Sequence, residues 1–115
     1  MKRPFLHPAS DELKLESVLY ALADPVRLEI VRRLAEDCPL KCSAAAPQHL
    51  PKSTMSHHFQ ILREAGLVTS ERRGTEVVNS LRREEIERKF PGVLAPILKA
   101  AKPLECLTRT GDGHP

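Results

Sequence analysis

Apolar residues along this chain recur mostly at helical spacing, with one pair of strand-like runs. Leu15, Val18, Leu19 and Leu22 fall at i, i+3, i+4 and i+7. That spacing predicts a first helix running from an N-cap at Ser10 to about Ala23. Leu13 and Tyr20 lie off this stripe, and a second apolar face calls for a second partner, such as another subunit. Asp24-Pro25 opens a second helix, because Asp caps free backbone N–H groups and Pro at the first helical position loses no hydrogen bond. Val26, Ile30, Val31 and Leu34 are expected inward, with Arg27, Glu29, Arg32 and Arg33 mostly outward and the end near Asp37, ahead of Pro39.

Pro39, Pro47 and Pro51 restrict the next stretch to a short helix around Ser43 to Ala46. A longer helix follows, capped by Ser53 or Thr54 and closed by Gly66 in the left-handed conformation. Met55, Phe59 and Leu62 form its inward face, with His58 at the edge in a packing or hydrogen-bonding role. Ser53, Thr54, Ser56, His57, Gln60 and Arg63 form the opposite face, which is short, polar and rich in hydrogen-bonding groups. A helix with that face can enter a DNA major groove and reach base edges. Leu67–Glu71 and Thr75–Leu81 read as two strands joined at Arg73-Gly74, a hairpin with Arg72 and Arg73 at its tip, in reach of a phosphate or the minor groove. A last helical region spans about Arg83 to Ala101, broken at Pro91-Gly92, with Leu94, Ile97, Leu98 and Ala101 as the stripe of its second part. Arg82, Arg83 and Arg88 interleave with Glu84, Glu85 and Glu87, the pattern of a salt-bridged helix surface.

The predicted class is therefore mainly α (α+β): a winged helix-turn-helix with a two-stranded β-wing. Residues 1–9 read as a flexible arm, 10–102 as one DNA-binding and dimerisation domain, and 103–115 as a disordered tail. The net charge of +3 permits nucleic-acid binding without requiring it, and an aromatic share of 3 % argues against stacking platforms for single strands. No apolar run has the length of a membrane span, and the N-terminus lacks a signal-peptide core, so a cytoplasmic protein is expected. No phosphate-cradling glycine loop, apolar carboxylate pair or nucleophile motif is present, and with only 5 glycines in the chain an enzyme is not expected.

Three stretches in this order resemble the ArsR-type family of bacterial winged-helix repressors. They are Ala21-Leu22-Ala23-Asp24-Pro25-Val26-Arg27-Leu28-Glu29-Ile30, then Ser56-His57-His58-Phe59-Gln60-Ile61-Leu62-Arg63-Glu64-Ala65-Gly66-Leu67-Val68, and the wing Glu71-Arg72-Arg73-Gly74-Thr75. The resemblance covers roughly residues 11–101. It implies a symmetric homodimer held by the N- and C-terminal helices, a recognition helix in the major groove of each half-site, and release when an inducer binds. The operator it implies is double-stranded DNA with an inverted repeat. The resemblance does not extend to the metal ligands. Where the metal-sensing members carry Glu-Leu-Cys-Val-Cys, this chain has Glu36-Asp37-Cys38-Pro39-Leu40-Lys41-Cys42, and residues 83–101 contain no His and no Asp.

Three cysteines, an odd number, argue for reduced thiols rather than a secreted disulfide framework. Cys38 and Cys42 form a Cys-x3-Cys pair, and Cys106 lies near the tail. Three readings stay open. Cys38 and Cys42 are a redox switch in which Lys41 favours the thiolate of Cys42. Alternatively, Cys38, Cys42 and Cys106 bind a soft metal or As(III). Otherwise all three are ordinary loop and tail residues. His7, His49 and His114 have no ligand spacing. The competing function is a winged-helix module that binds protein; the polar helix face and the arginine-tipped hairpin speak for DNA, since protein interfaces centre on apolar and aromatic anchors.

Overall fold

A computed structural model describes residues 5–47 and 49–103. Helix α1 spans Leu15–Leu22 and α2 spans Pro25–Glu36. A short strand β1 (Leu40–Lys41) leads into α3 (Cys42–Ala45), and α4 covers Lys52–Glu64. The hairpin strands are β2 (Val68–Arg73) and β3 (Glu76–Leu81), followed by α5 (Arg83–Lys89) and α6 (Leu94–Ala100).

The predicted start of α2 is present in full. Asp24 Oδ2 accepts from the backbone N–H groups of Val26 at 2.9 Å and Arg27 at 3.1 Å, with Pro25 in the first turn. The start of α1 differs from the prediction. Ser10–Glu12 is a separate 3-10 turn, Leu13 and Lys14 are extended, and α1 begins at Leu15. This break turns Leu13 into the core. Val18, Ala21 and Leu22 follow it inward, whereas Leu15, Leu19 and Tyr20 are left 39 %, 44 % and 63 % exposed. The exposed apolar face of α1 is thus Leu15, Leu19 and Tyr20, the Tyr20 ring lying against the Arg27 guanidinium at 5.3 Å, and Leu13 is not part of it.

The α2 face is also corrected in two places: Arg27 and Glu29 are buried. Arg27 closes the C-terminus of α1, donating from Nε to Ala21 O at 2.8 Å and from Nη2 to Tyr20 O at 3.3 Å. Carbonyls at a helix end lack the regular i+4 donor, so an inward guanidinium is better placed here than a solvated one; Tyr20 O accepts from the Ala23 N–H as well. Glu29 is held by Arg32 at 2.8 Å and Arg33 at 2.5 Å, and Arg33 also donates to Ala46 O. An acid can be buried when it is paired and hydrogen-bonded in this way.

Ile30, Val31 and Leu34 of α2 pack with Phe59 and Leu62 of α4, Leu67 and Val68 at the base of the hairpin, and Ile86 and Leu94. Gly66 adopts φ +85, as predicted, and a Cβ there would stand 2.0 Å from Leu13 Cδ2. Both the backbone conformation and the space require glycine. The caps predicted for α4 are replaced: Pro51 is the N-cap, and no side chain caps the end. Ser53 and Thr54 lie inside the first turn.

The hairpin is antiparallel, with Ser70 opposite Asn79 and Arg73 opposite Glu76. Gly74 and Thr75 make the two-residue turn, Gly74 at φ +64. Beyond the predicted pair, β1 adds a third strand on β3, with Leu40 opposite Asn79 and Lys41 opposite Val78.

Candidate nucleic-acid interface

Helix α4 buries Phe59 and Leu62 and turns Ser53, Ser56, His57 and Gln60 to solvent. Thr54 and Arg63, from the same predicted face, are half-buried. Gln60 Nε2 donates to Glu64 Oε2 at 3.1 Å, an exposed i, i+4 contact that a better partner can displace. His58 points the other way: Arg27 Nη1 lies 3.3 Å from its Nδ1. The guanidinium has only protons to give, so Nδ1 accepts and the ring is neutral. Burial pushes the His58 pKa down, outweighing Asp24, whose carboxylate stands 3.9 Å away.

Arg72 and Arg73 are the last residues of β2, just before the turn. Successive strand side chains alternate faces, so the two separate. Arg73 pairs with Glu71 at 3.1 Å on the exposed face. Arg72 shares its face with Ser70 and helps line a cleft of about 570 Å³ between α4, the hairpin and β1, together with Lys41, Lys52, Ser56, Arg63 and Thr75. The structure therefore joins Arg63, Arg72 and Ser56 of the predicted set in one cleft and sets Arg73 apart. Lys41 and Lys52, neither of them in the predicted DNA-contacting set, join it.

A polar thread runs beneath the cleft. Arg63 Nη1 donates to Ser70 Oγ at 3.2 Å, and Ser70 Oγ donates to Asn79 Oδ1 at 2.7 Å. Asn79 Nδ2 then donates to Leu40 O and to Cys42 Sγ, each at 3.2 Å. Every polar atom of the buried Asn79 side chain is satisfied, which is what lets it sit in the core. Cys38 is exposed and Cys42 is half-buried; both are free thiols. The Lys41 ammonium lies 2.9 Å from Glu76 Oε2, so its charge is directed to that carboxylate. The described residues contain no cluster of three His, Cys, Asp or Glu side chains suited to a metal, and Cys106 lies outside the described residues. No described helix is long and apolar enough to cross a membrane. Arg82 and Glu85 form an ion pair at the start of α5.

The arm bears on this surface too. The Ser70 backbone N–H donates to His7 Nε2 at 3.0 Å, and Arg82 Nη1 donates to Pro8 O at 2.8 Å. Since a backbone N–H only donates, His7 must keep Nε2 unprotonated. Burial lowers its pKa, and Arg82 and Arg63 add repulsion to the charged form. As the pH falls, the unfolded chain therefore takes up the proton first. The His7 contribution is complete above its ordinary pKa of 6.5 and is lost below it. The expected result is a difference in melting temperature between wild type and His7→Ala that is largest near pH 7.5 and shrinks towards pH 5.5. A difference that does not change with pH would show that His7 is not held neutral.

Known proteins are similar to this chain in sequence and fold. A family model for a helix-turn-helix domain matches residues 22–71. Over 64 residues the chain is 42 % identical to the HTH-type transcriptional repressor SmtB of Mycobacterium tuberculosis, a match covering 56 % of this chain and 47 % of that protein. The chain thus spans about half the length of that relative. It is 33 % identical over 87 residues to the HTH-type transcriptional regulator YceK of Bacillus subtilis, covering 74 % of this chain and 87 % of the relative. Among solved structures, an ArsR family transcriptional regulator superposes with a TM-score of 0.58 at 24 % identity, over 65 % of this chain and 82 % of that one. The transcriptional repressor BigR from Xylella fastidiosa gives 0.53 at 24 % identity, over 66 % and 85 %. These two likenesses bear on the fold alone, and the sequence matches carry the kinship: the chain belongs to the HTH-type transcriptional regulators and is similar to the SmtB repressor among them.

Proposed function

We propose that this protein is a transcriptional repressor that binds duplex DNA as a homodimer. Helix α4 enters the major groove and the β2–β3 hairpin meets the neighbouring backbone. One observation carries the reading: the exposed row Ser53, Ser56, His57 and Gln60 adjoins a cationic cleft shared with Arg72 of the hairpin. Base-edge donors and acceptors on a helix beside phosphate-binding guanidiniums are the two halves of sequence-specific recognition. The exposed Leu15, Leu19 and Tyr20 of α1 supply an apolar face for the second protomer. A two-fold dimer reads an inverted repeat with half-sites roughly 34–36 Å apart.

The effector reading concerns Cys38 and Cys42. The Cys38 thiol lies 3.4 Å from the Leu81 N–H and that of Cys42 lies 3.2 Å from Asn79 Nδ2, so both bear on β3. Joining them as a disulfide would pull on the strand that carries the wing. The experiment is a fluorescence-anisotropy titration of the reduced protein on the DNA upstream of its own gene, repeated after diamide, which takes up the two thiol hydrogens. Tight, salt-sensitive binding supports the repressor, and affinity that is flat with salt overturns it. Loss on oxidation with recovery in dithiothreitol supports the thiol switch, and indifference to diamide removes it. Equilibrium dialysis of the reduced protein against Zn(II), Cd(II) and As(III) tests the soft-ion alternative, which enlists Cys106 as its third thiolate.

A further inference from the structure

The cleft between α4 and the hairpin has a wall contributed by neither. The Phe5 ring packs against two cations at once: the Arg63 guanidinium of α4 lies 4.5 Å from its centroid and that of Arg72 in β2 lies 5.1 Å away. The two arginines come from separate elements and repel one another, so their shared seat needs a cause. An aromatic face supplies one, because its negative quadrupole attracts both. Arg63 has a second tie, to Ser70 Oγ. Among the described residues the Arg72 side chain makes no hydrogen bond or ion pair, and the Phe5 ring is the contact that orients it. The ring is itself anchored from behind, through the Ser70 N–H to His7 Nε2 and through Arg82 to Pro8 O. Lys52 and Thr75 add a cation and a hydroxyl to the lining, which also includes Lys41 and one acid, Glu76.

We propose that the N-terminal arm is a working part of the DNA interface: Phe5 holds Arg63 of the recognition helix beside Arg72 of the wing, so that both guanidiniums meet the same stretch of phosphodiester backbone. The inference rests on the DNA-binding reading above and adds to it a positioning residue outside the helix-turn-helix and the wing. A fixed pair of guanidiniums gives up less side-chain freedom on binding than two free ones, and it ties the angle of the wing to that of α4.

The test is anisotropy with a fluorescein-labelled duplex from upstream of the protein's own gene, across a salt series, using wild type, Phe5→Ala, Phe5→Leu, Phe5→Tyr, Arg72→Ala and the Phe5→Ala/Arg72→Ala pair. Phe5→Ala should bind roughly tenfold more weakly. Its log–log salt slope should be shallower by about 0.9 for each phosphate that is no longer neutralised. Phe5→Leu keeps apolar volume without the quadrupole and should bind as Phe5→Ala does, even if the alanine variant melts early. Phe5→Tyr should restore wild-type binding. The double variant should be no weaker than Arg72→Ala by more than about twofold, because Arg63 keeps its own tie to Ser70 Oγ and the loss of Phe5 is felt mainly at Arg72. Wild-type affinity and slope in Phe5→Ala and Phe5→Leu overturn the proposal. So does tighter binding, which would make the arm a cover over the face, and so do effects that multiply independently. Absence of wild-type binding at any salt is a separate failure: it removes the DNA reading itself, and this proposal with it.

Discussion

Replacing Phe59 with alanine should destabilise the domain by about 3–5 kcal/mol, a large share of the roughly 5–15 kcal/mol by which such domains are stable. Phe59 is 1 % exposed, and it is the largest side chain among those fully buried. It projects from the middle of α4 into the cluster that α1, α2 and the base of the hairpin complete. Removing its ring leaves a void that cannot collapse, because regular elements surround it. Urea unfolding followed by circular dichroism measures the change, and the midpoint should move while the slope stays constant. Phe59→Leu should recover more than half of the loss. A loss below about 1 kcal/mol for Phe59→Ala would mean that α4 is not packed as described.

The second large effect concerns DNA, and two variants separate its components. His57→Ala/Gln60→Ala removes exposed groups suited to base edges from the middle of α4. Specific binding should weaken by about 10- to 1,000-fold, while binding to unrelated duplex and the salt slope should scarcely change. Arg72→Ala/Arg73→Ala removes charge instead. It should weaken binding to all duplexes alike and make the slope of a dimer shallower by up to about 3.6, at 0.9 for each of four phosphates. The opposite faces of the two arginines predict unequal shares, with Arg72 the larger, since Arg73 is already paired with Glu71. If both variants weaken specific and unrelated DNA by the same factor, α4 is not reading bases.

The elements of this fold that could be read from the sequence are those whose cause is local. Asp24-Pro25 carries its own cap, and the α4 pattern ends at a glycine whose conformation and neighbour admit no other residue. The errors arise where the deciding partner is one that the spacing of apolar residues does not mark. Arg27 and Glu29 look like solvated charges until the carbonyls at the end of α1 and the guanidinium of Arg33 are in place. The strand β1 has two residues, and only pairing with β3 defines it. The same applies to the interface. The polar row of α4 is periodic and therefore visible in sequence, whereas the seat of Arg72 depends on Phe5. No short-range pattern connects those two residues. The one available signal was the presence of a phenylalanine in a polar, proline-containing arm of a chain poor in aromatics.

Asn79 divides the hairpin into two regions with different freedom to change. At the base, its side chain joins Ser70, Leu40 and Cys42, so sliding β3 by one residue would turn the amide outwards and break these hydrogen bonds together. Beyond it, from Arg72 through Gly74 to Glu76, the side chains are exposed, and none of them contributes to the core. Length can therefore be added or removed at the tip without disturbing alignment at the base. The hairpin behaves as an adjustable probe on a fixed mount. Relatives can evolve wings of different reach, and hence different footprints along DNA, while the mount beneath them stays the same.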